Sequence, residues 1–124
     1  MFKENNKAIY LQIAERIYDD IQAGNIRPGD RLPSVRDYAV LVQVNPNTVM
    51  RTYETLTREE IIVNRRGIGF FLTEEAPEKV RNIRITRLKE NDLPEIFRRL
   101  SLLGITPDEL TEAYKKYLIT ALKK

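Results

Sequence analysis

Apolar residues recur at helical spacing along most of the chain and give way once, just past its middle, to a β-branched and aromatic pattern. Tyr10, Ile13, Ala14, Ile17 and Ile21 form one stripe, closed by Gly24, which suits a left-handed helix stop; this predicts a helix over residues 7–23. The stretch Asn25-Ile26-Arg27-Pro28-Gly29-Asp30 has the chemistry of a turn. Ser34 as N-cap, with Asp37 three residues on, predicts a short second helix over about 35–42 carrying Tyr38, Ala39, Leu41 and Val42. Asn45 caps a third helix whose first position holds Pro46, where a missing N–H costs nothing. Its apolar side is Val49, Tyr53 and Leu56, which leaves Asn47, Thr48, Met50 and Arg51 largely facing away. Two short helices thus meet through Gln43, Val44 and Asn45, the spacing of a helix-turn-helix.

Past the third helix, Ile61-Ile62-Val63, then Arg65-Arg66-Gly67-Ile68-Gly69, then Phe70-Phe71-Leu72 reads as strand, glycine turn and strand, with two arginines projecting from the tip. Glu74 to Glu78 form an acidic connector. Val80, Ile83, Ile85 and Leu88 fit neither period well; a helix over about 78–90 is expected, with an extra strand as the alternative. Asp92-Leu93-Pro94-Glu95 opens a helix with the stripe Leu93, Ile96, Phe97, Leu100 and Leu103, stopped by Gly104. Thr106-Pro107-Asp108-Glu109 opens the last, with Leu110, Ala113, Tyr114, Tyr117, Leu118 and Leu122 on its apolar side. The fold class expected is mainly α with a small β-hairpin: a winged helix-turn-helix over residues 1–73, followed by a short helical dimerisation tail over 74–124.

With 124 residues the chain has the length of one compact domain and a short appendage. It contains no cysteine and no histidine, which removes thiolate nucleophiles, the commonest general base and the usual transition-metal ligands. The carboxylate pairs Asp19-Asp20 and Glu59-Glu60 are adjacent residues pointing to different helix faces, so neither converges on a substrate. No enzyme activity, catalytic residue, metal site or cofactor is expected. No apolar run approaches the roughly 20 residues of a membrane span, and Met1-Phe2-Lys3-Glu4 does not begin a signal peptide, so a cytoplasmic protein is expected. The net charge of +3 divides almost evenly, with ten Lys/Arg against nine Asp/Glu up to residue 73, so the placement of single arginines decides any affinity for nucleic acid.

On the third helix Asn47, Thr48 and Arg51 offer amide, hydroxyl and guanidinium groups that match base edges and phosphates in a major groove. Asn45 and the helix N-terminus suit a phosphate, although Asn45, Asn47 and Thr48 also serve as plain capping residues. Arg36, in the first turn of the second helix, stands against its own helix dipole, which points to a phosphate or guanine contact, the alternative being an ion pair with Asp37 or Asp30. Arg65 and Arg66 at the wing tip reach a minor groove or grip phosphate; the alternative is a solvated basic turn. The run Lys79, Arg81, Arg84, Arg87 and Lys89 reads as a solvated helix face, because Glu78, Glu90 and Asp92 surround it. A winged helix used for protein capture would show an apolar or acidic face at Asn47, Thr48 and Arg51, the opposite of what stands there.

These stretches together resemble the GntR family of bacterial repressors, in its short YtrA-type branch. The matching text is Tyr10-Leu11-Gln12-Ile13-Ala14, Gly24 to Arg36, Val44 to Tyr53 and Arg65-Arg66-Gly67-Ile68-Gly69-Phe70-Phe71, within about residues 8–73. The resemblance implies a DNA-binding transcription regulator in which Arg36, the start of the third helix and the Arg66-Gly67 wing tip contact DNA. It also suggests a link to a transporter operon. The family usually has glycine where Glu60 stands and often arginine where Met50 stands. The roughly 50 residues after the wing suit the branch's helical dimerisation tail, with Phe97, Leu100, Leu103, Tyr114, Tyr117 and Leu118 as expected interface. A homodimer would present two recognition helices to double-stranded operator DNA, hence an inverted repeat. A small-molecule effector between the tail helices is left open as a partner, and no convergent polar cluster marks one.

Overall fold

The first apolar stripe folds as α1, Ile9–Gln22, which buries Ile13, Ala14, Ile17 and Ile21 together with Tyr18. The structure, a computed structural model, describes residues 7–122, so Met1-Phe2-Lys3-Glu4 lies outside the described residues. Helix α2 spans Val35–Val42, and the Asp37 N–H donates to Ser34 Oγ at 3.1 Å, as the capping pattern predicts. Helix α3 spans Pro46–Arg58, where the Asn47 N–H donates to Asn45 Oδ1 at 2.8 Å. Between them Gln43 takes the left-handed conformation at φ 58°, closing the helix-turn-helix without a glycine.

One apolar position departs from expectation. Tyr38, Ala39 and Val42 are buried, but Leu41 is 61% exposed, as is Val40 at 74%. A helix of eight residues makes barely two turns, so only positions spaced like 38, 39 and 42 reach the core.

Tyr53 of α3 stands near the centre of that core, edge-on to Phe70 at 5.0 Å and tilted against Tyr38 at 6.2 Å, and its hydroxyl donates to the Pro33 carbonyl at 2.7 Å. Thr52, fully buried, donates to the Tyr10 carbonyl at 2.8 Å and so ties α3 to the start of α1. Burial pushes the Tyr53 and Tyr38 phenols above their ordinary 10.0. The unfolded chain then ionises first: stability is complete below about pH 10 and falls as pH rises past it. A urea midpoint followed from about pH 8 to about pH 11 is expected to stay level until roughly 9.5 and then decline, and Tyr53→Phe is expected to shallow that decline.

The wing is β1, Ile62–Arg65, antiparallel to β2, Gly69–Leu72, with Ile62 opposite Leu72 and Arg65 opposite Gly69. The segment before α2 joins it as a third edge: Leu32 N–H donates to the Phe70 carbonyl at 2.8 Å, Leu72 N–H to the Asp30 carbonyl at 2.9 Å, and Arg31 bridges Phe71. Turn-type residues hid this pairing from the sequence pattern.

Beyond the wing the chain is helical, which decides the 78–90 region for helix over strand: α4 runs Ala76–Arg87. The first compact unit runs to Arg84, and Ala76 and Val80 of α4 are buried in its core. In the second unit, from Ile85 onward, a π-helical turn at Leu88–Asp92 leads into α5, Leu93–Leu102, and α6 spans Pro107–Leu122. Helix α5 begins at Leu93 as the sequence predicts, but Asp92 gives it no side-chain cap: the Asp92 backbone is itself helical at φ −81° and ψ −45°, and the Leu93 N–H already donates to the Leu88 carbonyl of the π turn. Thr106 and Glu109 do form a reciprocal capping box, the Glu109 N–H donating to Thr106 Oγ1 at 3.1 Å and the Thr106 N–H to Glu109 Oε1 at 3.3 Å. Among the described residues no helix is long and apolar enough to cross a membrane.

Candidate nucleic-acid interface

The N-terminal half of α3 presents Asn47, Met50 and Arg51 to solvent, with Thr48 half-buried behind them. Asn45 spends its side-chain oxygen on the Asn47 amide, so the capping role weighed from sequence is real, and Asn45, Pro46 and Asn47 at this helix end are exposed. Arg51 is exposed, and its Cζ lies 3.9 Å from the centroid of the Tyr10 ring. This stack orients the guanidinium without neutralising it. Tyr10 is itself held by Thr52 through its carbonyl, so the arginine rests on a platform fixed to both helices. Sequence reasoning placed Tyr10 in the α1 core stripe and missed this; its position at the edge of the stripe is the one signal available.

Arg36 is exposed in the first turn of α2, and among the described residues neither alternative ion pair forms. Asp30 is committed elsewhere, its Oδ2 accepting from the Arg27 N–H at 2.8 Å. A guanidinium left open beside the positive end of a helix dipole is electrostatically costly there and becomes favourable when a phosphate arrives.

At the wing, Gly67 turns the tip at φ 76°, Arg66 is exposed, and Arg65 leans over the Phe71 ring with Cζ 4.6 Å from its centroid. The turn entering the wing takes the conformation that glycine adopts most readily: Glu60 is left-handed, at φ 60°. The chain keeps that path with a glutamate whose carboxylate pairs with Lys79 at 2.6 Å, an interaction that lowers the Glu60 pKa from its ordinary value.

The basic run after the wing is not uniformly solvated. Arg84 pairs with Glu15 and Asp19, each at 2.9 Å, donates to the Glu15 carbonyl and Gln22 Oε1, and covers the Tyr18 ring. Lys79 and Arg84 therefore anchor α4 to the turn before the wing and to α1. Their partners come from elements distant in sequence rather than from Glu78, Glu90 or Asp92 beside them.

In the second unit no residue of α5 or α6 is buried. Phe97, Leu103, Tyr114, Tyr117 and Leu118 are exposed and Leu100 is half-buried. Phe97, Leu100, Ile105 and Leu110 line an open apolar cleft of about 560 Å³ between the two helices.

Residues 9–72 match the bacterial regulatory proteins of the gntR family, which covers the helix-turn-helix and the wing together. The chain belongs to the GntR family. It is 39% identical over 114 residues to the HTH-type transcriptional regulator YhcF of Bacillus subtilis (strain 168), covering 92% of this chain and 93% of that one. It is 35% identical over 108 residues to the HTH-type transcriptional repressor YtrA of the same organism, covering 87% and 82%. A solved GntR-family regulator from Bacteroides thetaiotaomicron is similar in structure at a TM-score of 0.84 and 43% identity, over 91% of this chain and 99% of that one. These likenesses run through the tail as well as the wing. This GntR protein is a DNA-binding transcription regulator and not an enzyme.

Proposed function

We propose that this GntR regulator is a repressor that sits as a homodimer on an inverted-repeat operator in the cytoplasm, reading it through Asn47, Thr48 and Arg51. Arg36, Asn45, Arg65, Arg66 and Gly67 hold the flanking phosphates and the adjacent minor groove. The observation that carries this reading is Arg51, a guanidinium oriented by Tyr10 on the exposed side of α3. Repression is supported by the likeness to the repressor YtrA over most of both chains, and pairing of two copies by the apolar surface that the tail leaves in water. The regulated genes in this proposal include a transporter operon, as the branch resemblance suggests.

Fluorescence-anisotropy titration of duplex from the gene's own upstream region, beside a scrambled duplex, tests it. The expected result is two protomers per duplex, specific binding about 10³-fold or more tighter than scrambled, and a steep fall with salt. Footprinting should protect two symmetric half-sites about one helical turn or more apart, and a reporter driven by the same DNA should rise when the gene is deleted. One protomer per duplex, or a single protected half-site, would count against the dimeric operator.

A further inference from the structure

Beside Arg65, the outer face of the wing carries a second guanidinium, Arg31, that the tip and recognition helix do not account for. Phe71 stands opposite Val63 in the hairpin and is bridged on its other side by Arg31. Residues opposed across strands share a face, as do residues two apart along one strand. Arg31, Gly69, Phe71 and Arg65 therefore share one face, while Phe70 and Leu72 turn the other way into the core.

Arg31 and Arg65 both reach toward this patch. A Cβ built on Gly69 would stand 2.8 Å from Arg31 Nε and 3.2 Å from its Nη2, so the absent side chain at φ 145° is what lets the arginine lie down on the sheet. Arg65, opposite Gly69, leans over the neighbouring Phe71 ring. Neither guanidinium has a carboxylate partner among the described residues, and the hairpin from Ile61 to Thr73 contains no acidic residue. Asp30, adjacent to Arg31, is engaged by the Arg27 amide. Like charges gathered on one strand face repel, and an anion seated between them reverses the sign of the interaction.

We propose that Arg31 and Arg65 form a phosphodiester-binding site on the outer face of the wing, gripping one backbone phosphate of the bound duplex beyond the groove that α3 reads. The proposal rests on the DNA-binding reading above and adds Arg31 to it. Two planar guanidinium forks on a rigid sheet match phosphate oxygens and carry no base preference, so the site sets affinity and register rather than sequence choice.

The test is the salt dependence of binding to the upstream duplex and to a scrambled one, for the full chain and its Arg31→Gln, Arg31→Lys and Arg65→Gln variants. Arg31→Gln is expected to weaken both duplexes by the same factor and to reduce the slope of log K against log salt by about one per protomer, with Arg31→Lys keeping the slope. Arg65→Gln should reproduce the loss and stands in if Arg31→Gln does not fold. A wild-type slope in both glutamine variants overturns the site while leaving operator binding intact. Loss of slope in Arg31→Lys as well would show that the arginine only braces the wing. Failure of the wild type to bind either duplex would overturn this site together with the reading it rests on.

Discussion

Arg51→Ala is expected to weaken operator binding by about 1–3 kcal/mol while leaving the fold almost as stable as before. The guanidinium is exposed and its stack on Tyr10 contributes only about 0.5–1 kcal/mol at such a site, so most of the effect belongs to the bound state. Paired titrations on operator and scrambled duplex separate its two possible duties. A loss confined to the operator assigns Arg51 to base edges, whereas an equal loss on both assigns it to phosphate. Tyr10→Leu, which keeps the arginine but removes its platform, should give a smaller loss in the same direction, because the side chain must then be ordered at the moment of binding. Undiminished affinity in Arg51→Ala would remove Arg51 from the DNA interface.

That Arg36, Arg51, Arg65 and Arg66 could be named from sequence, but neither Arg31 nor the contacts that orient the charges, has a physical reason. Caps and turns act over three or four residues, so Ser34 with Asp37, Asn45 with Pro46 and the glycines of the wing announce their elements locally, and α2, α3 and the hairpin were legible. The contacts that orient the charges join distant segments: Arg51 with Tyr10, Arg84 with Glu15, Arg31 with Gly69 and Phe71. No periodicity encodes such pairs. The same limit explains the core: Ala76 and Val80 looked like part of a connector and a tail, because the groove they fill is built by residues before the wing. Leu41 shows the converse error, an apolar side chain assigned to the interior where the short helix had no face left to offer. Asp92 carried a good capping pattern, overridden by a π turn that left nothing to cap.

The tail yields the second large effect. Tyr117 and Leu118 lie three and four residues beyond Tyr114 on α6, and with Leu103, 76% exposed, they leave an apolar face that the helices of the second unit do not cover by themselves. Replacing Tyr117 and Leu118 together by Glu puts two charges on that face. They are harmless in a solvated single copy but cost several kcal/mol where a second copy would desolvate them. Light scattering should then show a monomer, against the dimer proposed for the wild type, and operator affinity should fall by about 10² or more, since the second half-site would no longer gain from tethering to the first. The helix-turn-helix and wing have their own core within the first unit, so the variant should keep its weak, salt-sensitive binding to any duplex. The two readouts are independent. A dimer that survives both glutamates would place the interface on another surface, and a monomer with full operator affinity would mean that one copy suffices and that the inverted repeat is not what this protein reads.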